Sequence, residues 1–354
     1  MSRIRPGWII GLAIMIAIPF VIRLIFPASE KYYLHLAVQI LLWAFIYTSW
    51  SLMGRFGLTS LGHGAFTGIG AYVCVLLWNF AGITPLIGIP VAVVVATIAG
   101  VLVGYPCFRL RITGHYFALL TLAFTEFVRL CIVGLRDWTG GSLGTQPARY
   151  GDGVSLLAVQ FEPDRTLAYY IALAVWLAGL AVWIKVDRSM DRYALDAASQ
   201  DEDAAASVGI DVTREKLKIT ALSAGMSAFG GAMYGQYQMY IGPETIAGLT
   251  VSLNIVFAAI AGGIWTLLGP TFGAFFTQML AETLRVGIQS SETLRSLLGS
   301  SALALDAMVY GLLLILFIIY MPKGIIGTAI ERWRARKAAP PAATRPVGTR
   351  ATTP

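Results

Sequence analysis

Ten apolar stretches alternate with polar segments along the chain, and most are long enough for a membrane-crossing helix. About 20 mainly apolar residues span the hydrocarbon core of a bilayer. The stretches are 8–26, 35–53, 62–81, 84–108, 116–135, 167–186, 217–240, 250–268, 270–288 and 303–321. This pattern predicts an all-α, polytopic transmembrane helical bundle that occupies residues 1–327.

Glycine and proline interrupt two of these regions, the third stretch and the run 250–288. The interrupting residues are Gly62, Gly64, Gly68, Gly70, Gly262, Gly263, Gly269 and Pro270. Non-helical backbone at membrane depth survives only when it is buried in protein or lines a cavity. We therefore expect some segments to be broken or re-entrant, with eight to ten membrane segments in all.

Pairs of glycines four residues apart predict close helix packing, because both glycines then face one side of a helix. The pairs are Gly64–Gly68, Gly100–Gly104, Gly231–Gly235 and Gly269–Gly273. Tight packing of this kind suits a transporter, a channel or a membrane enzyme equally well.

Composition supports a membrane protein, since 57% of the 354 residues are hydrophobic and only 13% are charged. Soluble domains carry roughly twice that share of charge. The net charge of +7 does not indicate a nucleic-acid partner, because the excess lies in loops and in the C-terminal tail. The lipid bilayer is the expected surrounding.

The distribution of lysine and arginine predicts the orientation, since cytoplasmic loops are enriched in both. A cytoplasmic N-terminus followed by ten alternating segments places 18 of the 26 basic residues inside and 7 outside. Both termini are then cytoplasmic, and the loop 136–165 is periplasmic. The tail 328–354 is basic, and we expect it to be disordered.

The charged residues are concentrated in one polar island, 187–216, which holds 12 of the 45 in the chain. Within it, Ser199 and Glu202 have the spacing of a helix capping box, and Asp201 adds negative charge at the positive end of the helix dipole. Gly209 lies where a C-terminal glycine ends a helix. Ala204, Ala205 and Val208 would then form a smooth face that suits a groove on another protein. A short solvated connector is the alternative.

Motifs for covalent chemistry are weak. The stretch 140–144 matches G-x-S-x-G around Ser142, but no strand pattern precedes it, as a nucleophile elbow requires. A glycine-rich turn is the simpler interpretation. The chain has no G-x-x-x-x-G-K-[ST] phosphate loop and no metal-ligand spacing. We therefore predict no catalytic residues, no metal and no cofactor.

Polar groups inside membrane segments are costly and indicate function by default. We predict that 62–70 and 262–273 face a translocation pathway. The candidate pathway residues are Gly62, His63, Gly64, Gly68, Glu126, Asn254, Gly262 and Gly263. Structural roles compete with each. Glu126 pairs with Arg129 three residues on, Asn254 joins helices, and His63 is capped or bonded to water.

Four stretches in order resemble the LivM-type permeases of branched-chain amino acid ABC importers. They are the glycine-rich 58–72, then 116–126 followed by 139–142, then 202–205 with 209–217, and 262–263 with 268–274 before 322–324. Order and spacing hold from about residue 35 to residue 327. The sequence departs from the family pattern at 264–266 and at Leu143–Gly144, which leaves the substrate open.

The resemblance implies that the island contacts a separate ATPase through Ser199, Asp201, Glu202, Ala204, Ala205, Val208 and Gly209. It implies a sister permease subunit, two ATP-binding subunits and a periplasmic substrate-binding protein, with the chain in the bacterial inner membrane. The expected substrates are branched-chain or other hydrophobic amino acids. Urea, short amides or aromatic acids are alternatives.

Two other classes of function stay open. An ion-coupled secondary transporter would need no ATPase, although the polar island argues against it. An intramembrane hydrolase would depend on Ser142 alone.

Overall fold

The computed structural model describes residues 6–290, apart from 152, 154, 156, 162 and 163, together with scattered positions between 308 and 327. The helices in this part of the chain are α1 (Pro6–Ile25), α2 (Glu30–Gly54), α3 (His63–Ala81), α4 (Pro85–Arg109), α5 (His115–Gly134), α6 (Arg136–Thr139), α7 (Arg165–Asp187), α8 (Met190–Gln200), α9 (Glu202–Ser207), α10 (Val212–Gln238), α11 (Pro243–Ile246), α12 (Leu249–Gly262) and α13 (Gly269–Ser290). The predicted all-α bundle is confirmed. The predicted tail 328–354 lies outside the described residues.

Six helical segments of the described part are long and apolar enough to cross a membrane. They are Pro27–Gly54, His63–Ala81, Pro85–Arg109, His115–Gly134, Arg165–Asp187 and Pro243–Gly262. The predicted segments 8–26, 217–240 and 270–288 are helical as well. The helices α10 and α13 are long enough, at 27 and 22 residues, but not apolar enough to meet the same criterion, and the apolar helix Ile10–Ile25 within α1 is shorter. The predicted segment 303–321 is described only at scattered positions.

The helix α10 lies at the centre of the bundle, packed against α2, α3 and α4. It does not need an apolar surface, because protein rather than lipid surrounds it. Glycines allow its backbone to touch α3: a Cβ atom at Gly231 would lie 2.2 Å from the Thr67 carbonyl oxygen, and one at Gly70 would lie 2.0 Å from that of Ala228. The close packing predicted from paired glycines is confirmed here.

The predicted break in 250–288 is confirmed, although the helix before it ends earlier than 268. The helix α12 ends at Gly262, and Gly263 has φ +111°, a conformation that favours glycine. The helices α12 and α13 then pack as a tight hairpin. A Cβ atom at Gly273 would lie 1.9 Å from the Ala258 carbonyl oxygen.

Contacts between loops define two ends of the bundle. At the α9 end, Arg55 Nη1 after α2 lies 3.0 Å from Asp187 Oδ1 of α7. At the opposite end, Asn79 of α3 donates to the Gln146 carbonyl oxygen at 2.8 Å, and Arg165 of α7 donates to the Tyr237 hydroxyl at 2.8 Å. The helices α2, α3, α7 and α10 therefore run alternately up and down, as the segment pattern predicted.

Candidate functional site

A polar cavity of about 270 Å³ opens in the bundle between α2, α10, α12 and α13. Its lining combines amides, hydroxyls, aromatic rings and one guanidinium: Gln39, Trp43, Tyr47, Tyr234, Thr245, Val251, Asn254, Thr277, Gln278, Ala281 and Arg285. Its size is close to the lower limit for small-molecule pockets. Such a lining inside a membrane bundle marks a candidate binding site or pathway.

Two rows of side chains, one on α2 and one on α13, face each other along the length of the cavity. Gln39, Trp43 and Tyr47 are spaced four apart on α2, and Thr277, Ala281 and Arg285 repeat that spacing on α13. Each row extends over eight residue steps of its helix, which is about 12 Å at 1.5 Å per residue. Because α2 and α13 run in opposite directions, Gln39 and Arg285 lie at one end of the cavity, and Tyr47 and Thr277 lie at the other.

Charged groups surround the Arg285 end. Arg285 Nη1 lies 3.6 Å from Glu282 Oε2, and the Tyr32 hydroxyl donates to Glu282 Oε1 at 2.5 Å. This end faces away from α9, since Tyr32 lies near the start of α2.

A second polar cluster holds Gln39 in place at that end. The Gln39 amide lies 2.8 Å from His35 Nε2, and Arg165 Nη1 lies 2.8 Å from His35 Nδ1. A guanidinium only donates hydrogen bonds, so Nδ1 accepts from Arg165. A neutral ring then carries its proton on Nε2, and the Gln39 amide accepts that proton only with its oxygen, rather than its nitrogen, turned toward the ring. The Tyr237 hydroxyl, 2.7 Å from Nδ1, completes the cluster.

Of the eight pathway candidates, Asn254 lines this cavity. Gly64 and Gly68 lie instead where α3 meets α11 and α12. The Gly64 amide donates to Ser252 Oγ at 2.9 Å, and a Cβ atom at Gly68 would lie 2.4 Å from that of Ala247. These glycines allow helices to approach each other.

Gly62 and His63 are buried at the start of α3. The Gly62 amide donates to Ser60 Oγ at 3.0 Å. His63 Nε2 lies 2.8 Å from Ser223 Oγ of α10, and that hydroxyl donates to the Ser49 carbonyl oxygen at 2.6 Å. Ser223 therefore accepts from His63, whose Nδ1 atom is buried without a hydrogen-bond partner among the described residues.

Glu126 forms an ion pair with Arg129, which also lies 2.6 Å from Glu244 of α11. This confirms the predicted pairing and ties α5 to α11. Gly262 and Gly263 form the end of α12, and a Cβ atom at Gly262 would lie 1.8 Å from the Gly269 carbonyl oxygen.

The polar island contains two helices, α8 and α9, where a single helix around 199–209 was predicted. Ser199 is not the N-cap: it lies in α8, and its hydroxyl donates to the Asp196 carbonyl oxygen at 2.8 Å. Asp201 is the N-cap of α9, accepting from the amides of Asp203 and Ala204 at 2.9 Å and 3.0 Å. Serine and aspartate are both favoured N-cap residues. Because α8 continues past Ser199 to Gln200, Asp201 rather than Ser199 precedes the first turn of α9.

Gly209 ends α9 as predicted, with φ +90°. Its amide donates to the Ala206 carbonyl oxygen at 3.0 Å, and the Ile210 amide donates to that of Ala205 at 3.2 Å. These two bonds form a Schellman motif.

The predicted smooth face of α9 needs one correction, because Ala205 is buried against the bundle. Ala204, Ser207 and Val208 are exposed, and Val208 keeps 76% of its surface accessible. The outward face of α9 is therefore small and apolar at its C-terminal end.

Two ion pairs of different environment hold α9 to the bundle. Glu202 pairs with Lys216 of α10, whose side chain is only 6% exposed. Asp203 Oδ1 lies 2.6 Å from Arg111 Nη1, in the loop between α4 and α5, and both of these side chains are largely exposed.

The G-x-S-x-G match forms a tight turn, since Gly140, Gly141 and Gly144 all have positive φ. The turn brings Thr145 into an antiparallel bridge with Ile241, and Ser142 is exposed. In the described part of the chain, no group of three or more histidine, cysteine or acidic residues is arranged to hold a metal.

Sequence reasoning missed Gln39, Tyr234 and Arg285 as cavity residues. An amide inside the predicted membrane segment 35–53 was the available signal for Gln39. Arg285 lies near the end of the predicted segment 270–288, where a basic residue was counted only toward the orientation of the bundle.

Comparisons with known proteins agree with one another. Residues 32–318 match the family described as the permease component of branched-chain amino acid transport systems. The chain is 31% identical over 294 residues to the high-affinity branched-chain amino acid transport permease LivM of Salmonella typhimurium, and 30% identical to LivM of Escherichia coli. Each alignment covers 78% of this chain and 65% of the relative.

A more distant relative is the probable branched-chain amino acid transport permease LivH of Methanocaldococcus jannaschii. It is 23% identical over 303 residues, which cover 80% of this chain and 90% of that protein. No solved structure matches the chain.

Proposed function

The chain belongs to the family of permease components of branched-chain amino acid transport systems, and from this premise we propose that it is the membrane-spanning permease subunit of an ATP-driven importer. Its cargo is a branched-chain or other hydrophobic amino acid, delivered by a periplasmic binding protein and released into the cytoplasm. The relatives are transport permeases, and ATP is hydrolysed by separate subunits.

The observation that carries this proposal is the polar cavity beside the central helix α10. Its Arg285 end suits the carboxylate of an amino acid, because a guanidinium recognises carboxylates with directed hydrogen bonds. Trp43, Tyr47, Tyr234 and Val251 offer the cargo's side chain an apolar wall. The amide groups between them suit the remaining polar atoms of the cargo.

The exposed face of α9 supports docking of an ATP-binding subunit. This short helix offers a groove the small exposed residues Ala204, Ser207 and Val208, beside the exposed Asp203, which is paired with Arg111. In the complete importer we expect a sister permease and two ATP-binding subunits in the bacterial inner membrane. Both termini and α9 are then cytoplasmic, and 136–165 is periplasmic.

Uptake by the co-purified complex in proteoliposomes tests the proposal. We expect accumulation of labelled leucine that requires ATP on the α9 side and binding protein on the opposite side. Accumulation that follows an imposed ion gradient without ATP would instead identify a secondary transporter.

A second cargo class fits the same cavity, because Gln39, Asn254 and Gln278 complement the donors and acceptors of urea and short amides. Parallel uptake assays with labelled urea and leucine, each with its own binding protein, separate the two possibilities. Transport of leucine without transport of urea would exclude urea and short amides as the cargo.

A further inference from the structure

A lysine that is almost fully enclosed joins the docking helix to the central helix. Lys216, in the second turn of α10, has a side chain that is 6% exposed, and its ammonium contacts the Glu202 carboxylate at the start of α9. The same ammonium lies 5.8 Å from the centre of the Phe108 ring of α4. Lysine is rarely buried unless it is paired, so this contact is a specific link between α9 and α10.

The link leads through α10 to the polar cavity. Lys216 and Tyr234 are 18 residues apart, which is five turns, so they share one face of the helix. Ser223 lies on that face between them, where it binds the Ser49 carbonyl oxygen and His63. Tyr234 lines the cavity. A displacement of the Lys216 end therefore reaches the cavity wall through one unbroken helix.

We propose that the Glu202–Lys216 ion pair is the connection that transfers movement of α9 to α10, and so converts ATPase motion into a change of the cavity. This inference rests on the proposed function. Glu202 then acts as a positioning residue, because its side chain contacts α10 of the same chain. The exposed side of α9 contacts the ATP-binding subunit.

The neighbouring ion pair supplies a matched control. Arg111 also holds α9, through Asp203, but its side chain is 65% exposed and that of Asp203 is 77% exposed. Exposed pairs contribute little, because water and salt screen them. The Arg111→Gln variant removes an ion pair from the same helix without touching α10.

The test measures leucine uptake and ATP hydrolysis by the complete complex in proteoliposomes, for wild type, Glu202→Gln, Lys216→Met and Arg111→Gln. Coupling between sites typically corresponds to about 5–150-fold, so we expect leucine moved per ATP to fall about tenfold in the first two variants. The complex should still assemble and hydrolyse ATP, and Arg111→Gln should match wild type.

Two double variants separate coupling from folding. Glu202→Lys with Lys216→Glu restores an ion pair and should recover most of the leucine moved per ATP. Glu202→Gln with Lys216→Met leaves no unpaired buried charge, so it should assemble normally and remain uncoupled. Normal coupling in this neutral double variant would overturn the inference.

The controls also distinguish the two levels of the proposal. Absence of ATP-dependent uptake in the wild-type complex would reject the proposed function itself. Wild-type uptake together with full coupling in Glu202→Gln would reject only the role of the ion pair.

Discussion

The Gly64 amide donates a hydrogen bond to Ser252 Oγ at 2.9 Å, which joins the start of α3 to α12 across the bundle. The same hydroxyl lies 3.4 Å from Thr125 Oγ1 of α5. Three helices therefore meet at Ser252. Polar contacts of this kind hold membrane helices together.

Replacing Gly64 with alanine should destabilise the bundle. The new Cβ atom would lie 2.5 Å from Ser252 Oγ and 2.9 Å from the Gly248 carbonyl oxygen. Overpacking typically costs about 1–3 kcal/mol, so we expect a lower melting temperature in detergent and reduced uptake.

Gly134→Ala is the matched control, because no atom lies within 4 Å of its added Cβ. A Gly64→Ala variant as stable as the Gly134→Ala variant would show that α3 and α12 separate more easily than this contact implies.

Arg285→Gln should impair transport without disturbing assembly. The guanidinium is the charged group in the cavity lining, and its loss leaves the carboxylate of the cargo without a charged partner. Hydrogen bonds to charged groups contribute about 1.5–3 kcal/mol, so uptake by the complex should fall about tenfold or more at subsaturating leucine.

Arg23→Gln controls for the loss of a positive charge at the same end of the bundle, since Arg23 is largely exposed and pairs with Glu30. Equal uptake by the Arg285→Gln and Arg23→Gln variants would show that Arg285 does not bind the cargo.

Val208→Asp should prevent the ATP-binding subunits from co-purifying with the permease. Val208 is 76% exposed on α9, so the change costs little within this chain but places a charge in the proposed interface. Central interface residues often contribute about 2 kcal/mol or more, which corresponds to roughly thirtyfold in affinity.

Leu143→Asp is the control, because Leu143 is 73% exposed and lies at the opposite end. We expect it to retain its ATP-binding subunits, as judged by affinity purification of the complex. Retention by Val208→Asp as well would place the docking surface elsewhere.

The sequence predicts the elements of this fold well, because their signals are local. Apolar runs mark α2 to α5 and α7, and Gly263 and Pro270 mark the break between α12 and α13. The positive φ of Gly209 follows from glycine's freedom at a helix end.

Signals that depend on competing neighbours are harder to interpret. Ser199 and Asp201 are equally good capping residues, and the choice between them depends on where α8 ends. Gly64 shows the same difficulty, since a glycine that admits a neighbouring helix and one that admits a substrate look identical in sequence.

The cavity could not be predicted from single segments. Gln39 is one amide in α2, and it faces Gln278 and Arg285 only because α2 and α13 pack in opposite directions. Asn254 was found because an amide in a membrane segment is costly wherever its helix packs.

The orientation of the bundle can be measured with single cysteines at its two ends. Cys74 and Cys107 are buried, so a Cys131→Ser background leaves little reaction with a membrane-impermeant maleimide. In this background, Ser142→Cys lies in an exposed turn at the end opposite α9, and Ser199→Cys lies on the exposed side of α8.

We expect Ser142→Cys to be labelled in intact spheroplasts, whereas Ser199→Cys should be labelled only after the membrane is permeabilised. The physical reason is the excess of lysine and arginine in the loops at the α9 end, which retains that end in the cytoplasm. Labelling in the reverse order would place α9 outside, where no ATP-binding subunit could reach it, and would contradict the proposed importer as a whole.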